Sequence, residues 1–403
     1  MYVKRQLETE IIKYLDKKEI IAIVGSRQSG KTTILKNIFE NLKNAVFLDF
    51  EDKRTLDLFN EDIDSFIEMY IKKYNYAFID EFQYSKNGGK NLKYIYDNCA
   101  TKIIISGSSV SELSIQSIKF LVGRIFVFTL YPFSFEEFLS YKNPDLYSLL
   151  FKASLSKQVI ERILPYFNEF CIYGGYPRVV LAKDNDEKEL VLKNIYNTYF
   201  LKEIKEILNL PDDYRLTKLI HALALQAGGI VNYHELGNIT GFKYNELQRN
   251  LNILEKTFII IKSLPFYTNK RTELVKAPKI FFIDNGFRNV VIRNFLALES
   301  RTDKGSLYEN FSAGEIVKSG LDVKYWRTKS MAEIDFVIEK NEDVIPIEIK
   351  SSLTSEGFTK SFVSFLKKYK PKNSIILSEK LFGEKDKTKF RTIFRISVEI
   401  ENF

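Results

Sequence analysis

The most specific chemistry in the sequence lies in Gly25-Ser26-Arg27-Gln28-Ser29-Gly30-Lys31-Thr32, continued by Thr33. A G-x-x-x-x-G-K-T run holds phosphate when it joins a strand to a helix, because its glycines let the backbone curl and aim N–H groups inward. The positive end of the following helix adds to the attraction. All nine residues are therefore candidate phosphate-binding groups. Within them, Lys31 would neutralise the β- and γ-phosphates, as in ATP, and Thr32 would ligate Mg²⁺. Further along, the apolar run YAFID delivers Asp80 and Glu81 together. Asp80 suits the same Mg²⁺, and Glu81 suits a general base that polarises an attacking water. The run KIIIS ends in Ser106-Gly107-Ser108-Ser109, whose hydroxyls would reach the γ-phosphate or that water. Arg124, before the next apolar run, either stabilises transition-state charge, in cis or across a subunit contact, or is structural.

A second group of chemical residues lies near the C-terminus. Glu333 to Ile338 and Val344 to Lys350 alternate apolar and polar residues around a polar turn, the pattern of a β-hairpin. With Asn341 and Glu342 as the turn, the register sets Asp335 directly across from Glu348, with Lys350 on the same face as Glu348. Facing carboxylates repel. Either a divalent metal relieves that repulsion, with Lys350 beside it to stabilise phosphate or help activate water, or a salt bridge does so in a solvated hairpin.

The elements that must position these groups follow from periodicity. Between 20 and 131, the runs IIAIV, AVFLDF, YAFID, KIIIS and IFVFTL alternate with helical or loop segments, the rhythm of a parallel sheet covered on both faces. Turn-rich or charged breaks then suggest divisions into 1–140, 141–210, 211–300 and 301–403, the second mainly helical. Within the third, segments 215–227, 233–239 and 243–256 read as three helices. Leu247, Leu251 and Leu254 face the core, leaving Asn245, Gln248, Arg249 and Asn252 outward as a helix-turn-helix presents its reading face. Two strands follow, and the tip at 265–279 holds Lys270, Arg271, Lys276 and Lys279 against Glu273. A basic wing suits phosphates, and such winged modules also serve as protein contacts.

Composition narrows the classes. The 403 residues carry 60 Lys+Arg and 52 Asp+Glu, a net charge of +8 that permits a nucleic-acid partner without requiring one. Two cysteines and two histidines, widely scattered, exclude a disulfide framework and a zinc cluster, so any metal needs carboxylates. No apolar run is long enough to span a bilayer, and the N-terminus reads as an amphipathic helix. A cytoplasmic protein without a membrane partner is expected.

GSRQSGKTT, FIDEFQY, ISGSS, the GRIFVFTLYPFSFEEF segment and YGGYPRVV, in that order, resemble AAA+ ATPases of archaea and bacteria that carry a C-terminal domain of unknown function. The resemblance runs from about residue 1 to about residue 350. It implies ATPase activity and a five-stranded AAA-type core, with AVFLDF as an extra strand between the nucleotide motifs. It also supports the winged helix. Arg178 is either a second nucleotide sensor or a solvent-facing arginine, and a homo-oligomer is compatible with Arg124 acting in trans. The D-x12-E-x-K spacing at the C-terminus resembles the PD-(D/E)xK nucleases, whose acids hold Mg²⁺. Glu309 matches the acidic helix position of that superfamily, while Glu333-Ile334 stands where a proline is usual. The implied architecture is multidomain α/β: an AAA-type P-loop parallel sheet, a helical segment, a winged helix-turn-helix and a restriction-endonuclease-like α/β domain. Its cofactors are ATP and Mg²⁺, and DNA is the expected partner.

Overall fold

The computed structural model describes residues 2–107, 120–208, 210, 214–353 and 355–403. Ser108 and Ser109 lie outside the described residues. The chain forms two compact units, one running to Pro132 and taking in Lys256–Phe258, the other holding Phe133–Glu255 and Ile259–Phe403. The first ends earlier than the sequence division at 140, because the helix Phe135–Lys142 belongs to the second. There the Phe135 N–H donates to Glu315 at 2.9 Å, and the Phe135 ring packs on Phe167, Phe170 and Phe311.

In the first unit, β1 (Ile20–Val24), β2 (Ala45–Asp49), β3 (Tyr76–Asp80), β4 (Lys102–Gly107) and β5 (Ile125–Thr129) form one sheet in the order β2-β3-β4-β1-β5. Every pairing is parallel. Parallel strands are buried on both faces, so β1 and the Ile103–Ile105 run of β4 are apolar without alternation, and both strands are buried throughout. One face packs Phe50, Phe59, Phe66, Phe82 and Ile95. The other receives Ile34, Leu35 and Ile38 of the helix Lys31–Glu40. The expected extra strand is β2, at the sheet edge. Register places Ser106 beside Ile23 of β1, and the ladder of β3 and β4 runs up to Ile79 and Ile105. Asp80, Ser106 and the loop after Val24 therefore meet at the carboxyl edge of the sheet, where ligands of open α/β sheets bind.

The second unit opens with helices, including Lys157–Tyr173, and its Gly174-Gly175 turn has a local cause. Gly174 has φ +75°, and a Cβ there would lie 2.1 Å from Oδ1 of Asp284. The Gly175 N–H donates to the same carboxylate at 2.6 Å, and Asp284 caps the helix Asn285–Val291. The helices Tyr214–Leu225, Tyr233–Thr240 and Tyr244–Lys256 follow. Leu247, Leu251 and Leu254 are buried, while Asn245, Gln248, Arg249 and Asn252 are exposed.

An eight-stranded sheet completes this unit among the described residues, in the order β12-β13-β11-β10-β9-β8-β6-β7. Its strands are β6 (Ile260–Pro265), β7 (Lys279–Phe282), β8 (Lys324–Arg327), β9 (Glu333–Lys340), β10 (Asp343–Lys350), β11 (Ser374–Ser378), β12 (Gly383–Lys385) and β13 (Thr388–Thr392). The hairpin of β6 and β7 is thus the end of the C-terminal sheet, joined through the β6 to β8 pairing. Asn341 and Glu342, at φ 51° and 62°, make the two-residue turn between β9 and β10. The ladder from Asp343↔Lys340 to Ile347↔Phe336 keeps the expected register, and just beyond it the Ile349 N–H donates to the Asp335 carboxylate.

Candidate functional site

The phosphate loop is shaped by two glycines and one arginine. Gly30 has φ 98° at the start of the helix Lys31–Glu40, a conformation that costs other residues strain. Gly25 passes so close to β5 that an added Cβ would lie 2.1 Å from the Leu130 carbonyl oxygen. That neighbour is backbone and cannot swing aside. Gly25→Ala is accordingly expected to destabilise the fold by about 1–3 kcal/mol and to lower nucleotide affinity, as read by denaturant unfolding and by titration with a fluorescent ATP analogue. Arg5, which sequence reasoning missed, is 6% exposed. Its guanidinium donates to the Ser29 carbonyl at 2.9 Å and to the Tyr131 carbonyl at 2.7 Å, tying the loop to the end of β5.

Lys31, 6% exposed, donates to the carbonyls of Gly25 at 3.1 Å and Ser26 at 2.9 Å. Ser26 and Ser29 carry fully buried hydroxyls with no hydrogen-bond partner. A buried orphan hydroxyl costs free energy unless something meets it, so two of them in a Gly-rich loop fit a polar ligand such as phosphate. Arg27, Gln28 and Thr33 are exposed, and Thr32 is half-buried. Asp80, 1% exposed, accepts from the Ser106 hydroxyl and from the Glu81 N–H at 3.1 Å. Carboxylate and hydroxyl oxygens such as those of Asp80, Ser106 and Thr32 are the donor type that Mg²⁺ takes.

Glu81 is held in a left-handed backbone conformation, φ 53°, and Gln83 donates to its carboxylate. Burial raises its pKa above the ordinary carboxylate value and the Asp80 charge adds to the rise, against the pull of Gln83, Lys31 and Arg27. A carboxylate raised in this way is a stronger base toward water.

Arg124 is not brought to this site. It precedes β5, and its carbonyl accepts from the Ile20 N–H at the start of β1. The phosphate loop begins after Val24, the other end of a five-residue strand. That separation is about 16 Å at roughly 3.3 Å per residue. The guanidinium instead meets Asp97 at 3.3 Å and the Tyr96 ring at 5.7 Å. A role in cis is therefore corrected to a structural one. Arg178, 61% exposed and paired with Glu187 at 2.9 Å, is the solvent-facing arginine of the two readings.

The C-terminal carboxylates lie in the second unit. Asp335 accepts from the Ile349 N–H at 2.7 Å, and Glu348, 3% exposed, accepts from Lys350 at 2.7 Å. Thr359 lies 3.0 Å from both Glu348 oxygens. Burial raises the pKa of Glu309 and of Asp335. Repulsion from Asp335 adds to the first and repulsion from Glu348 to the second, while Lys279 and Lys350 oppose both. The expected metal set of Glu309, Asp335 and Glu348 is nevertheless not assembled. Among the described residues, no group of three or more His, Cys, Asp or Glu side chains is arranged to hold a metal ion. A backbone N–H is bonded to one Asp335 oxygen, and Thr359 and Lys350 are bonded to Glu348.

The tip at 265–279 also differs from its expectation. It contains a short helix, Lys270–Val275. Lys270 pairs with Glu339 at 2.6 Å and Glu273 at 3.4 Å, and Lys279 is buried against Glu333 at 2.5 Å. Arg271 and Lys276 remain exposed. Three of the four expected cations thus reach the surface, but Lys270 is ion-paired there, and Lys279 is withdrawn into a buried pair with Glu333.

A parallel sheet whose carboxyl edge joins this loop to Asp80, Glu81 and Ser106 defines a P-loop nucleotide-binding domain. Residues 17–139 match the family model described as an AAA domain, so the first unit is of the AAA type. Residues 164–298 and 304–396 match two domains of unknown function, DUF8612 and DUF4143. An uncharacterised protein of Haemophilus influenzae is 27% identical over 84% of this chain and 84% of its own length. One of Methanocaldococcus jannaschii is 26% identical over 86% of this chain and 77% of its own. Among solved structures, a Walker-type ATPase of Pyrococcus abyssi is similar at 16% identity and a TM-score of 0.47, covering 72% of this chain and 96% of that one. No helix among the described residues is long and apolar enough to cross a membrane.

Proposed function

We propose that the protein binds and hydrolyses ATP in its first unit and acts on DNA through its second. The observation that supports this most is Glu81, a base of raised pKa held by Gln83 next to Asp80 and within the field of Lys31. Lys31 and the loop N–H groups would hold the phosphates, with Ser26 and Ser29 supplying hydroxyls. Thr32 and Asp80 would hold Mg²⁺, which when bound neutralises charge on the phosphates. Glu81 would take the proton of the attacking water while Ser106 fixes the Asp80 carboxylate. Arg124 enters only across a subunit contact. Turnover of Arg124→Ala is expected to match wild type in dilute solution, and a loss that appears only at high protein concentration would identify action in trans.

DNA contact rests on the exposed face Asn245, Gln248, Arg249 and Asn252 of the helix Tyr244–Lys256, in the setting of a winged helix-turn-helix. Arg271 and Lys276 add phosphate contacts. Replacing Arg249, Arg271 and Lys276 by Ala should weaken duplex binding and shrink the slope of log affinity against log salt by about 0.9 per lost contact. Unchanged binding would make this surface a protein-contact module.

For the C-terminal hairpin, the reading favoured is a nuclease-like scaffold without cleavage. The spacing of Asp335, Glu348 and Lys350 resembles that of PD-(D/E)xK nucleases, but Lys350 is paired with Glu348 and no acid group among the described residues is arranged to hold a metal. Supercoiled DNA with Mg²⁺ or Mn²⁺ is expected to stay intact in its presence. Nicking that Asp335→Ala removes would restore the catalytic reading.

A further inference from the structure

Residues 2–19 cross the first unit from one edge of its sheet to the other. At the carboxyl edge stands Arg5, the residue before the helix Gln6–Ile12, with its guanidinium on the carbonyls of Ser29 and Tyr131. At the amino edge stands Lys102, the first residue of β4, 6% exposed. Its ammonium donates to three carbonyls of the turn that follows the helix, those of Tyr14 at 2.8 Å, Lys17 at 2.7 Å and Glu19. Between these anchors the segment lies on the helix Lys31–Glu40, which the phosphate loop opens. Asn37 donates to one Glu8 oxygen at 2.7 Å and the Tyr2 hydroxyl donates to the other. Ile11, fully buried, packs with Ile34, Leu35 and Ile38. The Tyr14 ring continues onto Phe126 and Phe128 of β5, with centroids 5.0 and 5.6 Å apart. The segment is a strap fixed at both edges of the sheet and along its length.

Two buried cations bonded to backbone carbonyls call for a reason, since burying a charge costs free energy. For Arg5 the reason lies in the peptide it holds. In a trans peptide the carbonyl and the next N–H point opposite ways, and no peptide among the described residues is cis. Fixing the Ser29 carbonyl on Arg5 therefore aims the Gly30 N–H away from Arg5 and keeps that peptide from turning over. Phosphate loops bind their ligand with such N–H groups, and Gly30, at φ 98°, has no side chain to restrict the rotation. We infer that Arg5 is a positioning residue for phosphate binding, and that Lys102 acts on the same loop from the opposite edge by holding the strap that carries Arg5. The inference rests on the ATP reading of the first unit.

The test is a double-mutant cycle on the full chain, read by titration with a fluorescent ATP analogue and by steady-state kinetics. Arg5→Gln should weaken analogue binding and raise KM by about tenfold or more, with kcat within about threefold of wild type because Asp80 and Glu81 are untouched. Lys102→Met should weaken binding by about threefold or more, and the double variant should bind no worse than Arg5→Gln alone, since the two cations act in series. A purely structural Arg5 would instead lower kcat, affinity and the unfolding midpoint together, and the two substitutions would add. Either result overturns the inference, as does Arg5→Gln affinity within about threefold of wild type. If Arg5→Gln fails to fold, Arg5→Lys replaces it, with one nitrogen where the guanidinium placed two, and the same outcomes apply. Lys102→Gln stands in for Lys102→Met in the same way. Failure of both variants at either position to fold makes that cation part of the core and overturns its role. A wild type that binds no ATP analogue refutes the ATP reading and the strap with it, whereas wild-type binding that the variants leave unchanged refutes the strap alone.

Discussion

Lys31→Ala is expected to weaken ATP binding by on the order of 10² to 10⁴, from the loss of two charge-assisted hydrogen bonds worth about 1.5–3 kcal/mol each. The ammonium lies in the mouth of the loop, bonded to the Gly25 and Ser26 carbonyls, and is positioned to turn toward a triphosphate. Alanine leaves the phosphate charge uncompensated and two buried carbonyls short of a donor. Titration with a fluorescent ATP analogue measures the loss. A far-ultraviolet circular dichroism spectrum and an unfolding midpoint close to wild type would show that the sheet survives. Affinity within about threefold of wild type would remove Lys31 from the phosphate site.

Glu81→Gln should separate binding from turnover. The amide keeps the shape of the site but cannot accept the proton of the attacking water, so hydrolysis should fall by about 10² or more while ATP still binds. Repulsion between Asp80 and Glu81 contributes to the raised pKa of Glu81, and the substitution relieves it. Affinity should therefore hold or improve slightly. Single-turnover rates at saturating ATP isolate the chemical step. Equal rates in the two proteins would take the general-base role from Glu81 and leave Ser106 or a residue outside the described set to position the water.

Much of the first unit was legible because buried parallel strands read as unbroken apolar runs, and all five runs became β1 to β5. The hairpin register was legible for another reason. Asn341 and Glu342 tolerate the positive φ a two-residue turn demands, and period-two alternation then leaves one pairing. For Arg124 only the cis reading is set aside, and the sequence held the clue. A residue that precedes its strand in a parallel sheet sits at the amino edge, away from the ligands. The pairings of Lys279 with Glu333, Lys270 with Glu339 and Arg5 with Ser29 were not legible, since each joins residues more than 20 positions apart with no periodic signal. Those pairings turned the expected metal centre and basic tip into ion-paired structure. The compact unit ends at Pro132 although the AAA-domain match runs to 139, because Phe135 carries an aromatic contact set that only the fold reveals.

Steady-state ATP turnover by the full chain with Mg²⁺, measured with and without duplex DNA at one salt concentration, tests the central claim most directly. The account predicts measurable hydrolysis that Glu81→Gln abolishes, and a higher rate when DNA is added. Turnover that is absent under both conditions, or that persists unchanged in Glu81→Gln, would contradict it.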